Sequence, residues 1–115
     1  MSDRTTADVE RVLVNSDLVV TVLDDDQLAG FARVLTDRTY VALVLDVIVD
    51  ESRRGSGIGA ALLDAVVNHP ALAEVRSLEL VCQPELVPFY QRWGFTDQVG
   101  RSRLMRRTAD ARLTG

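Results

Sequence analysis

The residues best suited to chemistry lie in one stretch, Arg53-Arg54-Gly55-Ser56-Gly57-Ile58-Gly59-Ala60, which joins an apolar run ending at Val49 to a helical pattern starting near Gly57. Its three glycines let the backbone turn tightly and leave amides uncovered. The helix that follows aims the positive end of its dipole at the same point, and two arginines add formal charge. The combination is an anion cradle, and the anion it fits is a phosphate of a bound cofactor.

Other reactive residue types are scattered. Asp24-Asp25-Asp26 reads as a solvated turn, because the neighbouring ligands a hard cation requires are not evident, and no metal site is expected. His69 and Cys82 would support an acyl-cysteine route only if they touched. His69 follows a helix whose far end should lie away from the cradle, so it is expected as a solvated terminal histidine. Cys82, at the C-terminal end of its strand, is expected as a buried apolar residue. As the single cysteine it can form no internal disulfide. Arg101, Arg103, Arg106 and Arg107 make a basic patch, read as solvated strand charges, with an anionic substrate or partner as the alternative.

The elements that position the cradle follow from periodicity. Val9, Val12 and Leu13 fall at helical spacing and predict a short helix over 7–15. The β-branched run 18–23, the turn Asp24-Asp25-Asp26-Gln27 and the run 28–36 predict a hairpin. Residues 40–49 are apolar at almost every position, as for a central strand covered on both faces, with Asp46 as the exception. A helix over 57–68 shows one apolar stripe and stops at His69-Pro70. A strand over 77–82 then completes a strand–helix–strand unit, which implies a parallel crossover. Residues 84–93 predict a short helix whose regular part begins no earlier than Leu86 or Val87, because Pro88 is tolerated only in a first turn. Runs 95–99 and 101–106 predict two final strands around Gly100.

With 115 residues, the chain is read as a single domain over 1–115. Its 47% hydrophobic and 26% charged content is ordinary for a globular protein. No apolar run approaches a membrane span and the first residues lack a signal-peptide core, so a cytoplasmic location without membrane attachment is expected. A net charge of −4 argues against a general nucleic-acid binder and mildly favours a cationic amine substrate.

Two cofactor readings fit the cradle. Gly55-x-Gly57-x-x-Ala60 satisfies the loose dinucleotide fingerprint, but that turn should follow its strand almost directly, whereas Asp50-Glu51-Ser52-Arg53-Arg54 intervene. The other reading takes Arg54-x-x-Gly57-x-Gly59 as the core, and Pro88-Phe89-Tyr90-Gln91-Arg92-Trp93-Gly94-Phe95 follows downstream. These two blocks resemble the signature segments of the GNAT superfamily of acetyl-CoA-dependent acyltransferases, and the similarity covers roughly residues 18–107.

The resemblance implies an α/β (α+β) fold with a mixed, mostly antiparallel sheet of about six strands, a central parallel strand pair and flanking helices. It implies acetyl-CoA as cosubstrate and direct transfer of the acetyl group to a small-molecule or peptide amine. Carried over, Arg54, Gly55, Ser56, Gly57, Ile58, Gly59 and Ala60 bind the diphosphate. Val47, Ile48 and Val49 offer backbone to the pantetheine arm, which enters a gap between strands 40–49 and 77–82. Tyr90 is the implied general acid for the departing sulfur, a phenol being able to donate a proton or hydrogen bond there. Asp46 and Glu79 are the candidate bases, where burial could raise a carboxylate into the working range.

Two departures accompany the resemblance. The family usually places a strand and two helices ahead of the segment matching Leu18, and here one short helix fits, an N-terminally shortened form. The acceptor pocket is then either open or completed by another subunit, and an exposed apolar face favours a homodimer. Gln83-Pro84-Glu85-Leu86-Val87-Pro88 also stands where many members carry Asn and Ala. A non-catalytic acyl-CoA-binding module is the rival from another class, and a dinucleotide-binding protein is the third reading.

Overall fold

Asp25 and Asp26 take φ of 51° and 66°, the left-handed pair that a two-residue hairpin turn requires and that aspartate tolerates better than most side chains. They join β1 (Leu18–Asp24) to β2 (Gln27–Thr36) in antiparallel register, from Leu18 opposite Val34 to Asp24 opposite Gln27. The next reversal is built on Asp37. Its carboxylate accepts from the amides of Thr39, Tyr40 and Val41 at 2.8, 2.7 and 3.1 Å, and these bonds hold its pKa below the ordinary carboxylate value. β3 (Val41–Val49) follows, antiparallel to β2. A computed structural model describes residues 5–114, to which every structural statement refers.

α2 (Ile58–Val67) carries the chain from β3 to β4 (Ser77–Leu80), which pairs parallel to β3, giving the sheet order β1-β2-β3-β4. Leu62, Leu63 and Val66 of α2 are fully buried against Ala32 and Val34 of β2 and Ala42 and Val44 of β3. Period-two alternation puts those small and branched residues on one face. Gly30 lets the helix come close: a Cβ there would lie 2.7 Å from Ile58 Cγ2. After the 3-10 turn Pro84–Leu86, α3 (Val87–Gln91) begins with Pro88 in its first turn and buries Tyr90 in the same core.

The other sheet face is thinly covered. α1 (Thr6–Asn15) opens with a reciprocal cap between Thr5 and Asp8, yet buries no residue. Val9 and Leu13 stay 42% and 43% exposed, and the helix borders only a shallow depression beside Arg33 and Leu35. β3 is therefore covered on the α2 side, while Ile48 on the other is 45% exposed, which corrects the expectation of a strand buried on both faces.

Two expected strands are not formed. Residues 95–99 and 101–106 run without ladder pairing, so the described sheet has four strands rather than about six, β4 ends at Leu80 rather than at 82, and the parallel pair lies at the sheet edge. Local bonds replace the ladder: the Gln98 amide donates to Thr96 Oγ1, and Arg103 Nη1 donates to the carbonyls of Gly100 and Ser102. Phe95 packs against the core, but Val99, Leu104 and Met105 stay exposed, so the segment gains little apolar burial that would favour pairing. No described helix is long and apolar enough to cross a membrane, and no described group of three or more His, Cys, Asp or Glu could hold a metal ion.

Candidate cofactor and catalytic site

β3 and β4 stay in register from Val41 opposite Ser77 to Val44 opposite Leu80, and no pair is formed beyond. β3 continues alone on that side through Leu45–Val49, still paired to β2 by Ile48 opposite Phe31 and Val49 opposite Gly30. The parting coincides with a bulge: Arg33 faces Leu45 and Phe31 faces Ile48, so Asp46 and Val47 together oppose Ala32. Asp46 takes φ of 53°, and a bulged strand bends and twists away from its neighbour. Val47, Ile48 and Val49 therefore border a strand edge that β4 leaves unpaired.

That edge leads into the glycine-rich stretch. Asp50 caps the 3-10 turn Glu51–Arg53 by accepting from the Ser52 amide at 3.3 Å. Gly55 and Gly57 then take φ of 86° and 87°, a region that only glycine enters without strain. Gly57 is the N-cap of α2 and supplies no side-chain cap. Among the described residues, no backbone bond inside the protein uses the amides of Gly57, Ile58, Gly59 or Ala60, since the first return is from the Ala61 amide to the Gly57 carbonyl. Open space surrounds a Cβ built at Gly55 or Gly57, and Arg54 is exposed. Unclaimed amides, a helix dipole and an outward arginine make a set of donors that fits a phosphate.

Arg53 behaves differently from its neighbour. Its guanidinium is taken up by Asp24, Asp50 and Gln27, so of the two arginines only Arg54 is left to face an anion. Charge counting along the sequence missed this, although an acid three residues before a base, Asp50 and Arg53, was a visible signal.

α3 meets the cradle from the side. A Cβ at Gly59 would lie 3.3 Å from Phe89 Cζ and 3.8 Å from Val49 Cγ2, so the helix start, the β3 end and α3 converge there. The rings of Phe89 and Tyr90 pack edge to face with centroids 5.0 Å apart, and Trp93 Nε1 ties the end of α3 to Asp64 of α2 at 2.7 Å. Tyr90 is buried and donates no hydrogen bond inside the described protein. Burial first, and the neighbouring Cys82 second, push its phenol pKa above the ordinary value, so it remains a neutral O–H donor.

The remaining candidates are placed away from an unencumbered role. Asp46 is bonded to Arg33 Nε at 2.5 Å, with side chains only 18% and 15% exposed, so the expected base is committed to an ion pair. Glu79 is exposed in the paired part of β4, where Ser77 Oγ donates to it at 3.2 Å, before the strands part. His69 accepts from the Ala71 amide and caps the turn Pro70–Leu72, at the end of α2 remote from the cradle. Cys82 is half-buried, and burial together with Asp97 and Glu85 raises its thiol pKa. Sequence reasoning missed Arg33 as the partner of Asp46. It also missed a cleft of about 960 Å³ between the outer edge of β4 and residues 96–104, which Tyr90 and Cys82 border.

The family model described as an acetyltransferase (GNAT) domain matches residues 4–107. An uncharacterised N-acetyltransferase from Pyropia yezoensis is 28% identical over 91 residues, covering 76% of this chain and 52% of its own length. GCN5-related N-acetyltransferase 2 of Arabidopsis thaliana is 32% identical over 71 residues, 62% of this chain and 28% of its own. The chain thus spans about half or less of these curated relatives. Among solved structures, a protein from Xanthomonas campestris assigned to the GNAT family superposes with a TM-score of 0.80 at 35% identity, covering 89% of this chain and 70% of its own. A GNAT-family acetyltransferase from Streptococcus pneumoniae gives 0.72 at 26%, covering 90% and 82%. With a family model matched over nearly its whole length and the family's fold around an opened strand pair, the chain belongs to the GNAT acetyltransferase family.

Proposed function

We propose that this chain binds acetyl-CoA and transfers its acetyl group directly to an amine. The observation that carries the reading is the parting of β3 from β4 after Val44 and Leu80, which leads straight to the unclaimed amides of Gly57 to Ala60. In this reading, amides of Gly55 to Ala60 hold the diphosphate, Ser56 among them, and Arg54 closes the rim. The exposed backbone of Val47, Ile48 and Val49 takes the amides of the pantetheine arm as it would a peptide strand, and polarises the thioester carbonyl.

The residues then have few tasks. Holding the thioester beside the acceptor supplies most of the acceleration. The acceptor nitrogen forms a bond to the acetyl carbon, the carbon–sulfur bond breaks, Tyr90 gives a proton to the leaving sulfur so that free CoA thiol departs, and water then returns a proton to the Tyr90 phenolate. The acceptor's own proton leaves to water, because Asp46 is held by Arg33 and Glu79 stands in solvent. The same two facts favour a second reading, an acyl-CoA-binding module without turnover. A dinucleotide role fits less well, since the turn Glu51–Arg53 separates the glycines from their strand.

Titration calorimetry with acetyl-CoA, followed by a screen of amines with detection of released thiol, tests the proposal. Binding together with amine-dependent thiol release is expected. Binding with no release for any amine selects the second reading, and no heat with any CoA species from folded protein overturns both.

A further inference from the structure

One side chain, that of Arg53, ties the cradle to the tip of the β1–β2 hairpin. Arg53 Nε donates to Asp24 Oδ2 at 3.0 Å, Nη2 donates to Gln27 Oε1 at 3.0 Å, and Nη1 donates to Asp50 Oδ2. Asp24 and Gln27 flank the hairpin tip, and Asp50 follows the last residue of β3. The Arg53 carbonyl meanwhile accepts from both the amide and the hydroxyl of Ser56, inside the cradle. One residue thus grips three points of the scaffold with its planar fork and the glycine loop with its backbone. Its side chain is only 21% exposed, although it lies on a turn.

We infer that Arg53 is a positioning residue for the cofactor site: it fixes the loop Arg54–Gly57 against the hairpin, so affinity for the CoA diphosphate depends on residues of β1 and β2 that lie outside the cradle. Glycines at 55 and 57 give this loop many backbone states, and no side chain of the loop packs into the core to choose among them. The selection falls to the arginine. Lysine at this place offers a point charge in place of a fork and cannot hold three acceptors in one plane.

This inference rests on the proposed acetyl-CoA binding, and the test separates the two. Wild-type protein is first titrated with acetyl-CoA by calorimetry; absence of binding there overturns the proposed function and this inference with it. Given binding, R53Q is expected to raise the Kd roughly tenfold, and the KM for acetyl-CoA in parallel, with kcat unchanged, within what slight misplacement of binding groups costs. D24N, which touches the cradle only through Arg53, is expected to weaken binding about threefold, and the R53Q/D24N double variant to be no worse than R53Q alone. R53K is expected to recover only part of the loss. A Kd within twofold of wild type in folded R53Q overturns the inference. So does D24N binding as tightly as wild type or tighter, which would mean that Arg53 reaches the phosphates itself. D24N alters one exposed carboxylate and keeps the test decisive should R53Q fold poorly.

Discussion

Arg33 of β2 and Asp46 of β3 meet at 2.5 Å across the bulge where β3 parts from β4. Asp46 takes a left-handed backbone at the bulge, and its carboxylate is tied down by the strand opposite. The charge in an otherwise apolar strand is therefore explained by local geometry: the pair fixes the bend that opens the edge beside Val47.

The first prediction follows from that role. Arg33→Met leaves a mostly buried carboxylate without this guanidinium and should cost about 1–3 kcal/mol, read as a lower urea midpoint at unchanged slope. Asp46→Asn should lower stability similarly and leave kcat within a few-fold of wild type. A general base is worth about 100-fold or more, so a loss of that size on Asp46→Asn would make Asp46 the base after all.

Tyr90 gives the second prediction. Tyr90→Phe should lower kcat by about 100-fold, the scale of a lost proton donor, while the Kd for acetyl-CoA stays within twofold. Burial, and then the neighbouring Cys82, push the phenol pKa above its ordinary value, so the protonated, active form persists through the neutral and mildly alkaline range. The kcat profile should rise with pH as the acceptor amine loses its proton, with no falling limb in the neutral or mildly alkaline range. A falling limb near pH 8 would assign the acid to another group.

These residues also show what a sequence can carry. The hairpin was legible because three aspartates interrupt two apolar runs, and the structure uses the last two of them at positive φ. The cradle was legible because glycines at 55, 57 and 59 precede an apolar helical stripe. The bulge was only half legible. Asp46 stood out in its run, but its partner Arg33 lies thirteen residues earlier and enters through register, which periodicity does not specify. Residues 95–106 show the opposite failure. Their strand-like pattern reports how side chains fit a pleated surface, not whether a partner edge accepts the backbone.

The glycines of the cradle make a third prediction by their differences. At Gly57 a Cβ meets nothing within 4 Å, so Gly57→Ala pays only for its φ of 87°, about 1–2 kcal/mol, and turns the helix's first amides away from the anion. At Gly59 the backbone is ordinary and the Cβ crowds Phe89 at 3.3 Å. Gly59→Ala should therefore shift the aromatic packing, seen in near-ultraviolet dichroism, with a smaller loss of stability. Thermal melts and CoA titrations of both variants check the contrast.

Cys82 supplies the last prediction. Its thiol is raised above the ordinary value by burial first, then by the negative charges of Asp97 and Glu85. A raised pKa means less thiolate at a given pH, and thiolate is the reactive form. At pH 7.5 iodoacetamide should label Cys82 more slowly than it labels free N-acetylcysteine, with the rate still climbing above pH 9, as followed by intact mass. Labelling faster than the free thiol would show a thiolate stabilised by groups not facing it here, and would reopen an acyl-cysteine route. Slow labelling leaves the sulfur as a packing atom beside Tyr90 and is the outcome expected if the phenol is the proton donor proposed above.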